Sequence, residues 1–159
     1  MNIDILCVGK IKEKFYTDAV NEYVKRLGRY CNINIISVQD EKTPDKISDN
    51  MRDIILEKEA ERLFKYIKDN GLKAGLVISG KAFDSEEFAE VINNAALYGK
   101  SHIQFIIGGS LGLHKSILDI CDMHISFSKM TFPHQLMRVI LTEQIYRAYR
   151  IINNEPYHK

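Results

Sequence analysis

Three glycines follow a hydrophobic run in the last third of the chain and could bring a ligand close to the backbone. Residues 105–107 (Phe-Ile-Ile) continue as Gly108-Gly109-x-x-Gly112. Because glycine has no Cβ, the main chain at such a turn can approach a bound molecule closely. The dinucleotide fingerprint G-x-G-x-x-G does not fit, since Ile107 stands where its first glycine should be. The loop therefore predicts either another kind of ligand site or a tight strand-to-helix turn without a ligand.

A second irregular segment, residues 127–132, separates a hydrophobic run from a helix that starts at Pro133. Its sequence, Phe-Ser-Lys-Met-Thr-Phe, is unusually apolar for a surface loop. The backbone N–H and C=O groups of a buried loop need hydrogen-bond partners. A flat heterocycle bound by main-chain groups would supply them, and so would burial against another subunit. The residues alone do not separate these two interpretations.

The elements that would position the two loops alternate between strand and helix. Short apolar runs predict strands over residues 3–8, 33–38, 76–78, 103–107 and 124–127. Apolar spacing of three and four predicts the intervening helices. The first carries Phe15, Ala19, Tyr23, Val24 and Leu27 and ends at Gly28. The second is capped by Ser48, carries Met51, Ile54, Ile55, Leu63, Phe64 and Ile67, and ends at Gly71. The third opens with an Asp84–Glu87 capping box, a short fourth helix covers 115–121, and the last covers 133–149.

This alternation predicts an α/β fold, a single domain over residues 1–159 with a mainly parallel sheet and helices on both faces. Open sheets of this kind bind ligands just outside the carboxyl ends of their strands. Both irregular loops follow strands, so we expect them to meet at one edge of the sheet.

The composition narrows the class of protein. A hydrophobic content of 45% with 27% charged residues is typical of globular proteins, and no apolar run approaches the length of a membrane span. The amino terminus does not resemble a signal peptide, which predicts a cytoplasmic protein. Cys7, Cys31 and Cys121 lack metal-binding spacing and are expected to be buried reduced thiols.

Charge is unevenly distributed along a chain whose formal net charge is only +1. One basic set lies early, and another lies in the last helix and tail. Such sets are compatible with RNA binding, although solvated helix surface is their commoner cause. The two sets are Lys10, Lys12, Lys14, Lys25, Arg26 and Arg29, and Arg138, Arg147, Arg150 and Lys159.

The last predicted helix is apolar on nearly all sides, which is more than one core-facing stripe requires. Either the helix is central to the monomer, or its second face packs on a second copy of the chain. We favour a two-fold homodimer. The apolar side chains are Leu136, Met137, Val139, Ile140, Leu141, Ile145, Tyr146 and Tyr149.

Three features together resemble a known family. They are the Gly108-Gly109-x-x-Gly112 loop, the Ser-Lys-Met-Thr-Phe-Pro-His segment at 128–134, and the ending Asn-Glu-Pro-Tyr-His-Lys at 154–159. The chain resembles the bacterial ribosomal RNA large subunit methyltransferase H family, small SPOUT-class enzymes, over its whole length. The family commonly ends in arginine where this chain has Lys159, which keeps the charge but loses bidentate phosphate binding.

The resemblance implies a fold, a cofactor and a substrate. It implies a C-terminal trefoil knot, a rare exception to unknotted topology, and a homodimeric enzyme. It implies S-adenosyl-L-methionine as cofactor and methylation of N3 of a pseudouridine in 23S rRNA, at the family's 1915 site, within the assembled 70S ribosome. By matching position, the residues implied to contact the cofactor are Leu76, Gly108, Phe127, Ser128, Lys129, Met130, Thr131 and Phe132.

Methyl transfer of this kind needs alignment and a base rather than a metal. The N3 proton must leave, and His158 in the tail is the first candidate for the general base, with His134 second. Arg138 could stabilise the developing anion or bind phosphate, and Tyr157 could stack on a base. Each also has a structural alternative: His134 as a helix cap, Arg138 as a surface charge or interface ion pair, and Tyr157 as a tail anchor.

Other functions compete with this one. His102, His114 and His124 lack ligand spacing and are expected to be structural. A non-catalytic ribosome-binding factor would carry the same basic surfaces with a vestigial cleft. A nicotinamide or flavin oxidoreductase is disfavoured by the glycine spacing.

Overall fold

Five parallel strands alternate with five helices along the chain. A computed structural model describes residues 1–159. The elements are β1 (Asn2–Val8), α1 (Lys14–Leu27), β2 (Asn32–Val38), α2 (Asp49–Phe64), β3 (Leu72–Ala82), α3 (Ser85–Leu97), β4 (His102–Ile107), α4 (Lys115–Asp119), β5 (Met123–Ser126) and α5 (His134–Ile152). The sheet order is β2-β1-β4-β3-β5, and every strand pair is parallel. The predicted α/β class with a parallel sheet is confirmed.

Helices cover both faces of the sheet because successive residues of a buried strand point to opposite sides. On β1, Ile3 and Ile5 face the layer formed by α1, α3 and α5, whereas Leu6 and Val8 face α2 and α4. Each face therefore has its own apolar core. None of the helices is long and apolar enough to cross a membrane.

The predicted helix starts are largely confirmed by their caps. The Ser48 hydroxyl accepts a hydrogen bond from the Met51 N–H at the start of α2. Asp84 and Glu87 form the predicted capping box of α3. These local hydrogen bonds satisfy N–H groups that the first turn of a helix leaves free.

Several predicted boundaries and core positions were wrong. Helix α2 ends at Phe64, and Gly71 instead adopts a positive φ immediately before β3, where a Cβ would press against the His102 carbonyl. Strand β3 is longer than predicted because it continues past a register shift after Leu76. The side chains of Phe15, Met51, Ile54 and Phe64, expected in the core, are exposed.

After β5 the chain crosses back over the edge of the sheet before it enters the last helix. Strand β5 lies at the edge beside β3, yet α5 starts at β1, on the far side of β4. The Gln135 side chain accepts a hydrogen bond of 2.8 Å from the Lys12 N–H, just beyond the end of β1. Residues 127–133 therefore pass across the carboxyl ends of β3 and β4 before α5 begins. This crossing brings the two irregular loops together.

The apolar character of α5 is explained in good part by the monomer. The helix packs between α1 and α3, and Leu141, Ile145 and Ala148 are fully buried in the core. Ile145 is therefore a core residue and not an interface residue. Leu136, Val139 and Ile140 remain only half-buried.

Candidate active site

A cavity of about 960 Å³ lies at the carboxyl ends of β3, β4 and β5. Three segments wall it: the bulged part of β3, the glycine loop at 108–113, and the crossing segment at 127–133. The side chains around it are mainly apolar, and only Arg52 and His134 carry ionisable groups. The two irregular loops thus meet at the edge where a ligand site was expected.

The glycine loop is shaped by close backbone contact. A Cβ on Gly108 would overlap the carbonyl group of Gly112, so only glycine fits there. Gly112 has a φ of 89°, a left-handed conformation that other residues adopt at a cost. Gly109 and Gly112 form an isolated β-bridge that closes the loop. The loop is therefore a tight strand-to-helix turn, as one interpretation predicted, and it also forms one wall of the cavity.

Seven of the eight residues that the family resemblance assigns to the cofactor line this cavity. They are Leu76, Gly108, Phe127, Ser128, Met130, Thr131 and Phe132. Lys129 is the exception: it is exposed and does not line the cavity. The Ser128 hydroxyl accepts a hydrogen bond from the Met130 N–H at 3.0 Å, which turns the chain at this point.

His134 is the first residue of α5 and lines the cavity. The cap position belongs to Pro133, and no side chain caps the helix, so the capping alternative for His134 is wrong. Burial, followed by the positive charge of Arg138, lowers the pKa of His134. A lowered pKa keeps the imidazole neutral at neutral pH, and a neutral imidazole can accept a proton.

Arg138 lies inside the protein, with 1% of its surface exposed. Its guanidinium donates hydrogen bonds to the backbone oxygens of Val8 (3.1 Å) and Gly9 (2.6 Å) and to the Ser37 hydroxyl (3.2 Å). The expectation of a surface charge or interface ion pair was wrong. The guanidinium joins the ends of β1 and β2 to α5, and these contacts leave no open face for a phosphate group.

His158 lies in a second, smaller cavity of about 480 Å³. Its Nε2 is 3.7 Å from a carboxylate oxygen of Glu86, and its Nδ1 is 3.4 Å from an Arg147 nitrogen. Phe127 and Phe132 line both cavities. The two candidate bases therefore lie in adjacent cavities that share these two aromatic rings.

Tyr157 is held by contacts within the chain. Its hydroxyl donates a 3.0 Å hydrogen bond to Glu143, and its ring packs edge-on against Tyr146 with centroids 4.9 Å apart. The Arg147 guanidinium lies over the same ring at 4.7 Å and pairs with Glu143. The structure thus provides the contacts expected of a tail anchor.

The remaining histidines and the cysteines have local structural contacts. His102 Nε2 lies 2.8 Å from the buried carboxylate of Asp4, His114 caps α4, and His124 bonds the Leu118 carbonyl. Cys7 and Cys31 are buried free thiols, and Cys121 is half-buried. Burial raises the pKa of Cys7 to about 11, so this thiol stays protonated near neutral pH.

Arg52 was missed by the sequence reasoning. It lies on an exposed part of α2, lines the cavity, and donates a 3.1 Å hydrogen bond to the Leu111 carbonyl in the glycine loop. Glu59, also on α2, is buried behind Gly109, and burial raises the pKa of its carboxyl group. No local pattern marks either residue, because Arg52 bonds Leu111 across 59 positions and Glu59 accepts from the Glu41 N–H across 18 positions of the sequence.

The residues around the larger cavity fit an adenosine-bearing methyl donor. Its apolar walls and flat aromatic side chains suit a purine ring, and its glycine turn leaves backbone free to approach. A side chain at Gly108 would overlap the backbone of Gly112, so the turn that forms this wall needs glycine there. The fold and the cavity together indicate an α/β protein of the class that binds its ligand between two loops at one edge of the sheet.

Comparison with known proteins identifies the family. Residues 1–158 match the family described as "Predicted SPOUT methyltransferase". Ribosomal RNA large subunit methyltransferase H from Clostridium kluyveri and that from Bifidobacterium adolescentis are each 57% identical over 100% of both chains. The chain therefore belongs to the SPOUT methyltransferases and, among them, to the ribosomal RNA large subunit methyltransferase H family.

Two solved structures share the fold at low sequence identity. A probable methylase family protein from Haemophilus influenzae superposes with a TM-score of 0.56 at 15% identity, covering 99% of this chain and 70% of that one. A probable methyltransferase from Bordetella pertussis gives 0.58 at 10% identity, covering 92% and 95%. At these identities the likeness concerns the fold alone.

Proposed function

We propose that this protein methylates N3 of a pseudouridine in 23S rRNA, at the family's 1915 site within the assembled ribosome, with S-adenosyl-L-methionine as methyl donor. Membership of a methyltransferase family supports the reaction class. The relatives' names support large-subunit ribosomal RNA as the substrate. The choice of nucleotide and atom rests on the family resemblance.

The observation that carries the cofactor proposal is the composition of the larger cavity. Segments far apart in the sequence converge there, and seven of the eight residues assigned to the cofactor line it. When bound, S-adenosyl-L-methionine would supply an electrophilic methyl group on a positively charged sulfur.

The chain's own contribution is alignment and proton removal. An in-line transfer depends mainly on holding the attacking nitrogen against the methyl carbon. The N3 proton needs an acceptor, and a positioned base contributes typically about 10²–10⁴-fold. His134 is suited to this role because it lines the cavity and its pKa is lowered. His158 remains the alternative acceptor, from the adjacent cavity.

The active form is, in our proposal, a cytoplasmic homodimer with a trefoil knot. The crossing of residues 127–133 over two strand ends supports the knot, because such a segment can close over the chain that precedes it. The half-buried apolar row Leu136, Val139 and Ile140 on α5, together with exposed Ile78 and Met130 near the cavity, supports a partner subunit.

The test is transfer of a tritiated methyl group from S-adenosyl-L-methionine to ribosomes from a strain that lacks this protein. Ribosomes from a strain that also lacks the pseudouridine serve as the control. Label in the first and none in the second would establish the reaction and its dependence on pseudouridine. No label in either, with folded protein and competent ribosomes, would favour a non-catalytic ribosome-binding factor.

A further inference from the structure

A short basic segment with an exposed aromatic ring lies at the same edge of the sheet as the larger cavity. Residues 10–13 connect β1 to α1, and residues 14–16 begin the first turn of α1. The side chains of Lys10, Lys12 and Lys14 are all exposed. Phe15 is 63% exposed. The one aromatic ring that its own ring contacts is that of its neighbour Tyr16, with centroids 4.4 Å apart.

The charges of this segment are only partly neutralised. Lys14 pairs with Asp18 at 2.6 Å, whereas Lys10 and Lys12 form no salt bridge. Glu13 is the one acidic residue between Lys10 and Phe15. Neither lysine nor Phe15 belongs to the apolar core, so all three side chains are free to contact a partner.

The segment is fixed to the candidate active site. The Lys12 and Glu13 N–H groups both lie within hydrogen-bonding distance of the Gln135 side-chain oxygen, at 2.8 and 3.4 Å. Gln135 directly follows His134, which lines the cavity. His134 also lies against Gly9, immediately before Lys10. A strand that delivers a base to the cavity would therefore pass close to the two lysines.

We propose that Lys10, Lys12 and Phe15 form an RNA-binding site that holds the substrate strand beside the cavity. The ammonium groups contact backbone phosphates, and the phenyl ring stacks on an unpaired base. This inference rests on the proposed function for its substrate class. It adds residues whose task is to bind the RNA and not to take part in methyl transfer.

The test compares two variants with matched controls at the opposite edge of the sheet. The variants are Lys10→Gln/Lys12→Gln and Phe15→Ala. The controls are Lys65→Gln/Lys100→Gln and Tyr98→Ala. These residues lie near the amino ends of the strands; Lys65 is exposed, Lys100 is half-exposed and Tyr98 is 82% exposed. Ribosome affinity is measured by co-sedimentation at several salt concentrations, and methyl transfer is measured on the same samples.

We expect the lysine variant to bind ribosomes at least about tenfold more weakly at low salt. With fewer phosphate contacts, binding releases fewer counterions from the RNA. Its slope of log affinity against log salt should fall by about 1.4–1.8, at ~0.7–0.9 for each contact. Phe15→Ala should bind about tenfold more weakly with an unchanged slope. In both, KM should rise while kcat stays within about twofold, and the controls should match wild type.

Unchanged ribosome affinity and salt slope in both variants would overturn the inference, as would a loss of kcat at unchanged KM. Titration with S-adenosyl-L-methionine and circular dichroism check that each variant is folded. The binding readout does not need catalysis. A wild type that binds ribosomes but transfers no methyl group would therefore count against the proposed function alone.

Discussion

Arg138 lies one helical turn after His134, and its buried guanidinium faces the carbonyls of Val8 and Gly9 rather than solvent. The positive charge next to His134 adds to the effect of burial, and both lower the pKa of the imidazole. One residue thus joins α5 to the end of β1 and helps to keep its neighbour neutral. The two roles lead to the first two predictions.

Replacing Arg138 by methionine should destabilise the fold by about 2–4 kcal/mol, because two strand-end carbonyls and a hydroxyl lose a charged donor. Chemical denaturation measures the change in the free energy of unfolding. Arg29→Met is the matched control, since its side chain is 65% exposed and a surface change of this kind usually shifts stability by less than about 0.5 kcal/mol. Equal stability of the two variants would refute the assignment.

Replacing His134 by glutamine should lower kcat by about 10²–10⁴-fold if His134 accepts the N3 proton. The wild-type rate should fall as the pH drops through the lowered pKa of His134, because protonation removes the acceptor. The H134Q variant should lose this acidic limb. An unchanged pH profile of kcat in H134Q would move the role of base to another group.

If His158, the alternative acceptor, takes the N3 proton, removing residues 157–159 should abolish methyl transfer while leaving cofactor affinity nearly intact. None of these residues lines the larger cavity, and His158 lies in the adjacent one. Isothermal titration with S-adenosyl-L-methionine and the tritium assay separate the two effects. The single variant Tyr157→Phe removes only the hydrogen bond to Glu143 and should retain activity. Lost cofactor affinity in the truncated protein would contradict this division of roles.

Gly108→Ala should lose cofactor binding by more than tenfold, because the added Cβ overlaps the Gly112 carbonyl and forces the loop to open. Gly99→Ala provides the control. That glycine has a φ of 75° with nothing within 4 Å of its Cβ position, so alanine there costs only the conformational penalty, about 1–2 kcal/mol. Equal cofactor affinity in the two variants would show that the glycine loop is not part of the site.

The stability of the protein should depend on pH through Asp4. Burial opposes ionisation of this carboxyl group, but hydrogen bonds from Asn34, Lys68 and His102 outweigh it and lower its pKa. A lowered folded-state pKa adds stability that is fully present above the unfolded-state value of about 3.9 and is lost as the pH falls through the folded-state value.

Asp4→Asn should therefore be less stable than wild type at neutral pH, and the difference should shrink below about pH 4. Denaturation at a series of pH values measures it. Asp119→Asn is the control, because its carboxyl group is 57% exposed and pairs only with Lys115 within its own helix. A difference that stayed constant down to pH 2 would contradict the linkage.

Local sequence determined much of this protein. The alternation of apolar runs and helical spacing was enough to predict an α/β sheet, and side chains within three residues of a helix start predicted the caps at Ser48 and Asp84. The two irregular loops were also visible, because glycines and an apolar loop before a proline are features of neighbouring residues. The likeness of whole motifs then supplied the family.

Tertiary structure decided which side chains face the site. Arg138 is buried, against expectation, because its guanidinium lies where α5 meets the end of β1. Phe15, expected in the core, is exposed at the start of α1. The Lys12–Gln135 hydrogen bond that fixes this meeting joins residues 123 positions apart. Only the folded chain places the two candidate histidines in adjacent cavities. Contacts over such distances follow from the path of the chain, which no local pattern encodes.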